Sequence, residues 1–429
     1  MYDLHLTPEQ LEFRDTVRDF VENEIKPVAL HPDRLQPFEK PLLTELVDKA
    51  SQMGLRTFAL SEDAGGAGAD DLTSCIVLEE LAAGEVDIAT VLGHTSFLGH
   101  VLFDQLLSAE QRARFLPKFA EDDRYHLAFA GREPNAGAGW SYHRALAEGG
   151  AELSAKRQTE GNWVINGSLP FVANAPIAKL LVVQARSDPK KTGANGMSML
   201  LVPSDAKGLT IGNPPKATGE AVRWHQGTGA SVTFKDCRVP GDHLVGKEGQ
   251  SPLADGTLLA RSVTQMAAIN LGLGRAAYDA AVDYAKIRRQ GGRNIIEHQA
   301  IGSKLADCAI KLELARNMIW KAAWAADHPD AVSDRSLPEL PLHTMARVYT
   351  ARAVNEVTLL SAECFGAMGV MRDMPLQKYV HDGRNTCTTD SYSRTRMRLT
   401  MPPNSQSRRR SRATSGRLLP NGLTGDERW

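Results

Sequence analysis

The chain of 429 residues contains little of what marks a secreted, membrane or nucleic-acid-binding protein. Its five cysteines are scattered and form no CxxC pair, which predicts a reducing compartment and no structural zinc site. The formal net charge is −1, so the whole chain has no bias toward nucleic acid or an anionic membrane. We also find no signal peptide and no uninterrupted apolar run of membrane-spanning length. These absences predict a cytoplasmic protein that binds no metal, no nucleic acid and no membrane.

The common catalytic and nucleotide-binding motifs are absent as well. The sequence contains no P-loop, no zinc-binding helix motif and no GxSxG elbow. Gly272-x-Gly274-x-x-Ala277 matches the dinucleotide fingerprint in letters, but it lies inside a long helical pattern rather than after a strand. We therefore predict that these small residues allow close packing between helices.

Hydrophobic periodicity predicts an α+β chain with the order α–β–α. Residues 1–125 predict an N-terminal helical domain, which opens with the capping box Thr7-Pro8-Glu9-Gln10. Residues 126–240 show short β-like runs between turn residues and predict a middle β-barrel or sandwich. Residues 241–393 carry long helical stretches that predict a C-terminal four-helix bundle. The Arg-rich residues 394–429 predict a disordered tail.

The predicted elements of the last two domains are explicit enough to test. The strands are predicted at Leu127–Ala130, Trp163–Ile165, Leu180–Ala185, Met197–Val202, Leu209–Ile211 and Ser231–Phe234, with a turn at Asn166-Gly167. The bundle helices are predicted at Leu258–Arg289, Ile301–Asp327 and Leu342–Glu363, with residues 375–390 as the fourth.

Three stretches have both a structural and a functional interpretation. The loop Arg132–Gly139 is either a glycine-rich surface turn or a loop whose backbone N–H groups face a ligand. Arg288-Arg289-Gln290-Gly291-Gly292 either complements a helix C-terminus or binds phosphate. The stretch Leu359–Asp390 combines a helix, a glycine turn, a second helix and a final carboxylate. That carboxylate is either a solvated surface group or a base placed beside a cofactor.

Taken together and in order, residues 5–390 resemble the acyl-CoA dehydrogenase family. The resemblance rests on Leu6–Gln10, Glu133-Pro134, Ala136-Gly137, Asn166-Gly167, Phe171–Asn174, Phe234–Pro240, Tyr284–Gln290, His298–Ile301, Lys304–Asp307 and Arg372–Leu376. It implies an FAD-dependent enzyme of fatty acid metabolism that removes a proton from Cα of an acyl-CoA while a hydride leaves Cβ. It also implies a homodimer or homotetramer that passes electrons to an electron-transferring flavoprotein or another acceptor.

The resemblance also assigns site residues. The flavin ring would be lined by Arg132, Glu133, Ala136, Gly137 and Ala138 of the loop and by Phe171, Ala173 and Asn174 of the strand. Arg288 and Gln299 would reach FAD from a neighbouring subunit, and Gly366 and Gly369 would let the backbone pass the adenine half. Counting from the block His381-Asp382-Gly383-Arg384 places the catalytic base at Asp390.

Several positions depart from the family pattern. Asp390 replaces the usual glutamate and is one methylene shorter, and Ala173 stands where a threonine hydroxyl normally contacts the flavin. The shorter base favours a branched or cyclic acyl group. Two alternatives follow from the same departures: a flavin oxidase or monooxygenase of this fold, and a catalytically impaired flavin- or CoA-binding subunit.

Overall fold

The computed structural model describes residues 5–34, 41–131, 153–191, 195–214, 225–253, 260–334, 337, 340–371 and 373–388. Helices, then strands, then helices follow one another in the predicted α–β–α order. The helices are α1 (Pro8–Phe20), α2 (Lys26–Ala29), α3 (Thr44–Gln52), α4 (Asp71–Gly84), α5 (Val86–Gly99), α6 (Ala109–Glu121), α7 (Ala260–Ile287), α8 (Gln299–Asp327), α9 (Asp330–Ser333), α10 (Leu342–Cys364) and α11 (Leu376–Thr388). The predicted Arg-rich tail lies outside the described residues.

Local sequence determines how the N-terminal helices begin. Thr7 and Gln10 form the predicted capping box at the start of α1, each side chain bonding the other residue's backbone N–H. The stretch Val86–Leu106, which contains α5, is long and apolar enough to cross a membrane by composition. Since 83% of its apolar window is buried inside the protein, it serves in the described structure as a core helix.

One sheet of eight strands forms the middle region of the described chain. The strands are β1 (His126–Ala130), β2 (Ser154–Arg157), β3 (Trp163–Ala173), β4 (Ala178–Arg186), β5 (Met197–Pro203), β6 (Leu209–Ile211), β7 (Gly229–Val239) and β8 (Leu244–Val245). The main order is β6-β7-β3-β2-β4-β5-β8, and β1 pairs in parallel with β4. One apolar core lies on the sheet, around the fully buried Trp163.

The predicted turn at Asn166-Gly167 is wrong. Strand β3 runs through it as a bulge, where the pairing with β7 shifts register between Ile165 and Gly167. The Asn166 amide Nδ2 donates to Asp236 Oδ1 at 3.1 Å, while Asp236 N donates back to Asn166 Oδ1 at 2.8 Å. These cross-strand bonds satisfy the polar groups that would otherwise favour a chain reversal.

Helices α7, α8, α10 and α11 form the predicted four-helix bundle, and α4 packs against α7. Gly272 makes that approach possible. A Cβ built on Gly272 would lie 2.2 Å from the carbonyl oxygen of Glu79 in α4, closer than any real contact. The prediction that these small residues serve helix packing, not dinucleotide binding, agrees with this geometry.

Replacing Gly272 with alanine is therefore expected to destabilise the protein. The added methyl group must push α4 from α7, which costs roughly 1–3 kcal/mol of unfolding free energy. Gly302→Ala is the matched control, because the nearest atom to a Cβ there is 3.7 Å away and helical alanine gains up to about 1 kcal/mol over glycine. Chemical denaturation measures both variants, and equal stability of the two would contradict the packing argument.

A half-buried carboxylate pair, Asp71 and Asp327, joins the start of α4 to the end of α8. The Asp327 carboxylate accepts hydrogen bonds from the backbone N–H of Asp71 at 3.0 Å and of Leu72 at 3.2 Å. Arg261 Nε lies 3.1 Å from Asp71 Oδ2. Burial raises the pKa of Asp71 to about 7; Arg261 opposes this rise, and the charges of Asp327 and Asp70 add to it. This contact between the N-terminal region and the bundle is therefore sensitive to pH.

We expect Asp71→Asn to remove a pH-dependent loss of stability. The raised pKa means that the folded state binds a proton more tightly than the unfolded state does. The unfolded-state pKa of Asp71 is about 4, and its folded-state pKa is about 7. As pH rises between these two values, Asp71 lowers the unfolding free energy of the wild type. Above about pH 7 this loss of unfolding free energy stays constant. The difference in unfolding free energy between variant and wild type should grow across that range. A difference that is flat from pH 4 to pH 8 would contradict this.

Candidate active site

The end of strand β3 presents a half-exposed face that fits a flat ligand. Phe171 and Ala173 alternate along the strand and are both partly exposed, while Val172 between them is buried. Ala173 pairs with Gly229 of β7. The Phe171 ring covers that glycine so closely that a Cβ there would lie 2.2 Å from a ring carbon. The Phe171 ring can lie there because Gly229 has no side chain.

His225 is a site residue that the sequence analysis missed. Its imidazole packs against the Phe171 ring, with ring centroids 4.8 Å apart and planes tilted by 44°. The two rings together make an aromatic surface beside the end of β3. No local pattern indicates this pairing, because His225 precedes β7 and meets Phe171 only through the β3–β7 ladder.

Asn174 ends the strand in a left-handed conformation with φ of 62°. Asparagine tolerates that region better than most residues do. Its backbone N–H donates to the carbonyl of Thr228 at 2.8 Å, and its side-chain amide donates to the carbonyl of Val91 at 3.1 Å. The side chain is 1% exposed and directed at α5. Asn174 therefore anchors the strand to the N-terminal helices, and its side chain is not on the open face with Phe171.

A second connection ties this region to the helices. The carboxylate of Asp87, at the start of α5, accepts a hydrogen bond from the backbone N–H of Gly227 at 2.8 Å. Gln226 Nε2 donates to Asn270 Oδ1 in α7 at 3.3 Å. The segment before β7 is thus held between α5 and the bundle.

Glu85, which lies at the junction between α4 and α5, holds α11, the helix that leads to the predicted base. Lys378 of α11 is 2% exposed, and its Nζ lies 3.5 Å from Glu85 Oε1 and 3.3 Å from Asp382 Oδ2. Burial alone would lower the pKa of Lys378, but these two carboxylates raise it above its ordinary value. Helix α11 ends at Thr388, two residues before Asp390 in sequence. Asp390 itself lies outside the described residues.

A basic hairpin follows α7. It consists of β9 (Arg289–Gln290) and β10 (Arg293–Asn294), joined by Gly291 and Gly292 with φ of 61° and 85°. Three exposed arginines, Arg288, Arg289 and Arg293, lie in or beside it, and Gln299 is exposed nearby. Exposed guanidinium groups suit the oxygens of a pyrophosphate. Arg288 also directly follows the C-terminal end of α7, so the position fits the helix-terminus interpretation as well.

Gly366 and Gly369 lie near this hairpin and act differently. The ring of Phe365 stacks on Tyr284, one turn before Arg288, with centroids 4.1 Å apart. Gly366 has φ of 57°, and a Cβ built there would meet nothing within 4 Å. A Cβ on Gly369 would lie 2.3 Å from the carbonyl oxygen of Ala362. Gly366 thus leaves open space for a ligand, whereas Gly369 is required by packing within the chain.

The structure brings the predicted site residues together in two groups. Phe171, Ala173 and Asn174 share the end of β3, whereas Arg288, Gln299, Gly366 and Gly369 lie around the hairpin. The loop residues Arg132, Glu133, Ala136, Gly137 and Ala138 lie outside the described residues. A flat aromatic face and a cationic hairpin with an open glycine fit the ring and the pyrophosphate of FAD.

Comparison with known proteins shows to which family the chain is similar. The family models for the acyl-CoA dehydrogenase N-terminal, middle and C-terminal domains match residues 7–123, 129–237 and 254–387. The short-chain-specific acyl-CoA dehydrogenase of Clostridium acetobutylicum is 30% identical over 385 residues, which cover 90% of this chain and 94% of that protein. The mitochondrial isobutyryl-CoA dehydrogenase of Dictyostelium discoideum is 29% identical over 381 residues, covering 88% and 85%.

A solved structure agrees as well. Butyryl-CoA dehydrogenase from Megasphaera elsdenii matches with a TM-score of 0.79 and 25% identity, covering 93% of this chain and 98% of that one. These matches confirm the fold class and the resemblance drawn from the sequence. The chain therefore belongs to the acyl-CoA dehydrogenase family.

Proposed function

We propose that this chain catalyses the FAD-dependent α,β-dehydrogenation of an acyl-CoA thioester. The substrate loses a proton from Cα and a hydride from Cβ, and a double bond forms between the two carbons. FAD, when bound, accepts the hydride. The protein supplies a base for the proton, a surface for the flat ring and cations for the pyrophosphate.

This proposal rests on two contacts made by residues at the junction between α4 and α5. Asp87 holds the segment that packs on the β3 end, and Glu85, two residues earlier, holds Lys378 of α11. The strand proposed to line the flavin and the helix that leads to Asp390 are thus fixed to one buried point. Such common support is what a hydride and proton transfer at adjacent carbons needs, because small displacements of a base are costly in rate.

Asp390 is the proposed base. The resemblance motivates this proposal, and α11, which contains the buried Lys378, ends two residues before Asp390 in sequence. A carboxylate accepts the Cα proton as that carbon becomes acidic beside the thioester. The shorter side chain, compared with the family's glutamate, leaves more space over Cα and favours a branched or cyclic acyl group.

The assay that tests this proposal supplies the purified holoprotein with an artificial electron acceptor. Butyryl-CoA, isobutyryl-CoA and cyclohexanecarbonyl-CoA are compared, and product formation is followed by mass spectrometry as the loss of two hydrogens. We expect enoyl-CoA products, with branched or cyclic acyl groups turned over faster than the straight chain. Equal turnover of all three substrates would contradict the preference for branched or cyclic acyl groups. If no product forms from any of them, the dehydrogenase assignment is wrong.

Arg288 is proposed to act on FAD bound in a second copy of the chain. Asn270 of α7 bonds Gln226, in the segment before β7 of its own chain, and Arg288 directly follows α7 eighteen residues later, about 27 Å along the helix axis. The two groups of site residues are therefore far apart within one chain. The exposed apolar side chains Ile287, Val370 and Met371 beside the hairpin, at 77%, 70% and 46% exposure, suit burial against another subunit.

Complementation tests this arrangement. Arg288→Met and Asp390→Asn homo-oligomers are each expected to have low activity, since each lacks one part of every site. Oligomers reassembled from both subunit types should regain activity, because the Asp390→Asn subunit supplies Arg288 to sites that keep Asp390. Failure of mixed oligomers to exceed either parent would contradict a contribution from the second copy.

The electron acceptor is proposed to be an electron-transferring flavoprotein, and the assembly a homodimer or homotetramer. The resemblance motivates both proposals. A cytoplasmic location is proposed because the four cysteines of the described residues, Cys75, Cys237, Cys308 and Cys364, are buried and free, as expected in a reducing compartment.

A flavin oxidase or monooxygenase is the second candidate. Asp390 in place of glutamate and Ala173 in place of a hydroxyl both favour it, because they change the groups around the flavin. Oxygen consumption that accompanies substrate oxidation without any added acceptor would support this candidate. Turnover that depends on an added acceptor supports the dehydrogenase.

A further inference from the structure

Three buried residues far apart in sequence form one hydrogen-bond chain behind the β3 end. The Asn174 amide Nδ2 donates to Thr95 Oγ1 at 3.3 Å, and Thr95 Oγ1 lies 3.2 Å from His126 Nδ1. Thr95 is 0% exposed, Asn174 1% and His126 3%. Water therefore cannot replace these partners, and each lost bond leaves a polar group unsatisfied.

The donor and the acceptor of each hydrogen bond in this series can be assigned. The amide Nδ2 can only donate, so Thr95 accepts from it and its own hydroxyl hydrogen is assigned to His126 Nδ1. Nδ1 can accept because the imidazole is neutral: burial and the nearby charge of Arg56 lower the pKa of His126 to about 4. Each of these three side chains therefore makes a hydrogen bond at neutral pH.

Thr95 connects Asn174, which the family resemblance places at the flavin, with His126 at the start of β1. Asn174 ends β3, whereas His126 begins β1, the strand that leads into the loop Arg132–Gly139. Both contacts are made from one position on α5. We propose that Thr95 is a positioning residue for the flavin, whose hydroxyl holds the end of β3 in place through Asn174 and connects it to the start of β1 through His126. This inference rests on the proposed flavin site.

The Thr95 hydroxyl helps to hold Asn174 in its left-handed backbone conformation. A φ of 62° is uncommon for a residue with a side chain, and the surrounding bonds must hold it. Without the Thr95 oxygen, the carbonyl of Val91 is the one acceptor left to the amide among the described residues. The backbone from Phe171 to Asn174 then gains freedom, and the Phe171 ring moves with it.

The experiment compares Thr95→Val with Thr95→Ser and with Thr350→Val. Valine keeps the shape and removes the hydroxyl, whereas serine restores the hydroxyl. Thr350 is 0% exposed on α10, and its hydroxyl has no hydrogen-bond partner among the described residues, so it is a matched control. The readouts are the dissociation constant of FAD, the flavin absorbance spectrum and thermal unfolding of the apoprotein.

We expect Thr95→Val to weaken FAD binding about tenfold, the equivalent of one lost buried hydrogen bond, and to shift the flavin spectrum. Thr95→Ser should restore both, and Thr350→Val should change neither. Asn174→Gly serves if Thr95→Val does not fold, because glycine adopts the same φ but lacks the amide; it should weaken FAD binding likewise.

Wild-type FAD affinity and spectrum in Thr95→Val, with only a lower unfolding temperature, would overturn the proposal and leave Thr95 a purely structural residue. A wild-type protein that binds no FAD would instead overturn the proposed function, and this inference with it. The two failures are therefore distinguishable.

Discussion

Asp390→Asn is expected to slow flavin reduction by acyl-CoA by about 10²- to 10⁴-fold, the range that a positioned general base contributes. The amide keeps the size of the side chain but cannot accept the Cα proton at neutral pH. FAD affinity should stay unchanged, because the proposed base acts on the substrate. Stopped-flow absorbance under anaerobic conditions measures the rate directly.

Two variants control this result. Asp390→Glu should retain dehydrogenation, because it restores the family's carboxylate with one more methylene. Asp307→Asn removes an exposed carboxylate from α8 and should leave the rate unchanged. If Asp390→Asn reduces its flavin as fast as the wild type does, the base is another residue.

Glu80→Ala is expected to destabilise the fold by about 3–5 kcal/mol, the cost of removing one partner of a buried ion pair. Glu80 is 4% exposed in α4 and lies 2.8 Å from Arg18 of α1 and 2.6 Å from Arg275 of α7. Burial alone would raise the pKa of Glu80, but hydrogen bonds from the two arginines lower it below its usual value. Removing this carboxylate leaves Arg275, which is 19% exposed, with only Glu79 as its acidic partner among the described contacts.

Glu363→Ala is the matched control for this loss. Glu363 pairs with Lys304, but their side chains are 56% and 37% exposed, and such a surface pair contributes at most about 1 kcal/mol. Urea denaturation of the two variants should therefore separate them clearly. A Glu80→Ala protein within 1 kcal/mol of wild type would contradict the network.

Local sequence predicted those parts of the fold that local interactions determine. The Thr7 capping box begins α1 as expected, because the box is complete within four residues. The bundle helices begin and end within two residues of their predicted bounds, with α11 at Leu376–Thr388. Gly272 was correctly assigned to packing because its pattern is helical on both sides.

Contacts between distant residues could not be predicted in this way. Asn166-Gly167 has the composition of a turn, and only the facing Asp236 in β7 makes it a bulge. Helix α5 lies in the region predicted to be helical, but its bounds could not be predicted because it is apolar on nearly every side and has no amphipathic period. The same holds for the site: Thr95 meets His126 and Asn174 across 31 and 79 residues, which no spacing rule reveals.

The most direct test of the account is an anaerobic titration of the wild-type holoprotein with acyl-CoA, followed by flavin absorbance. The account predicts that the oxidised flavin band bleaches with a short branched or cyclic acyl-CoA and that enoyl-CoA forms in equal amount. A flavin that stays oxidised with every acyl-CoA, in a protein that binds FAD stoichiometrically, would contradict it.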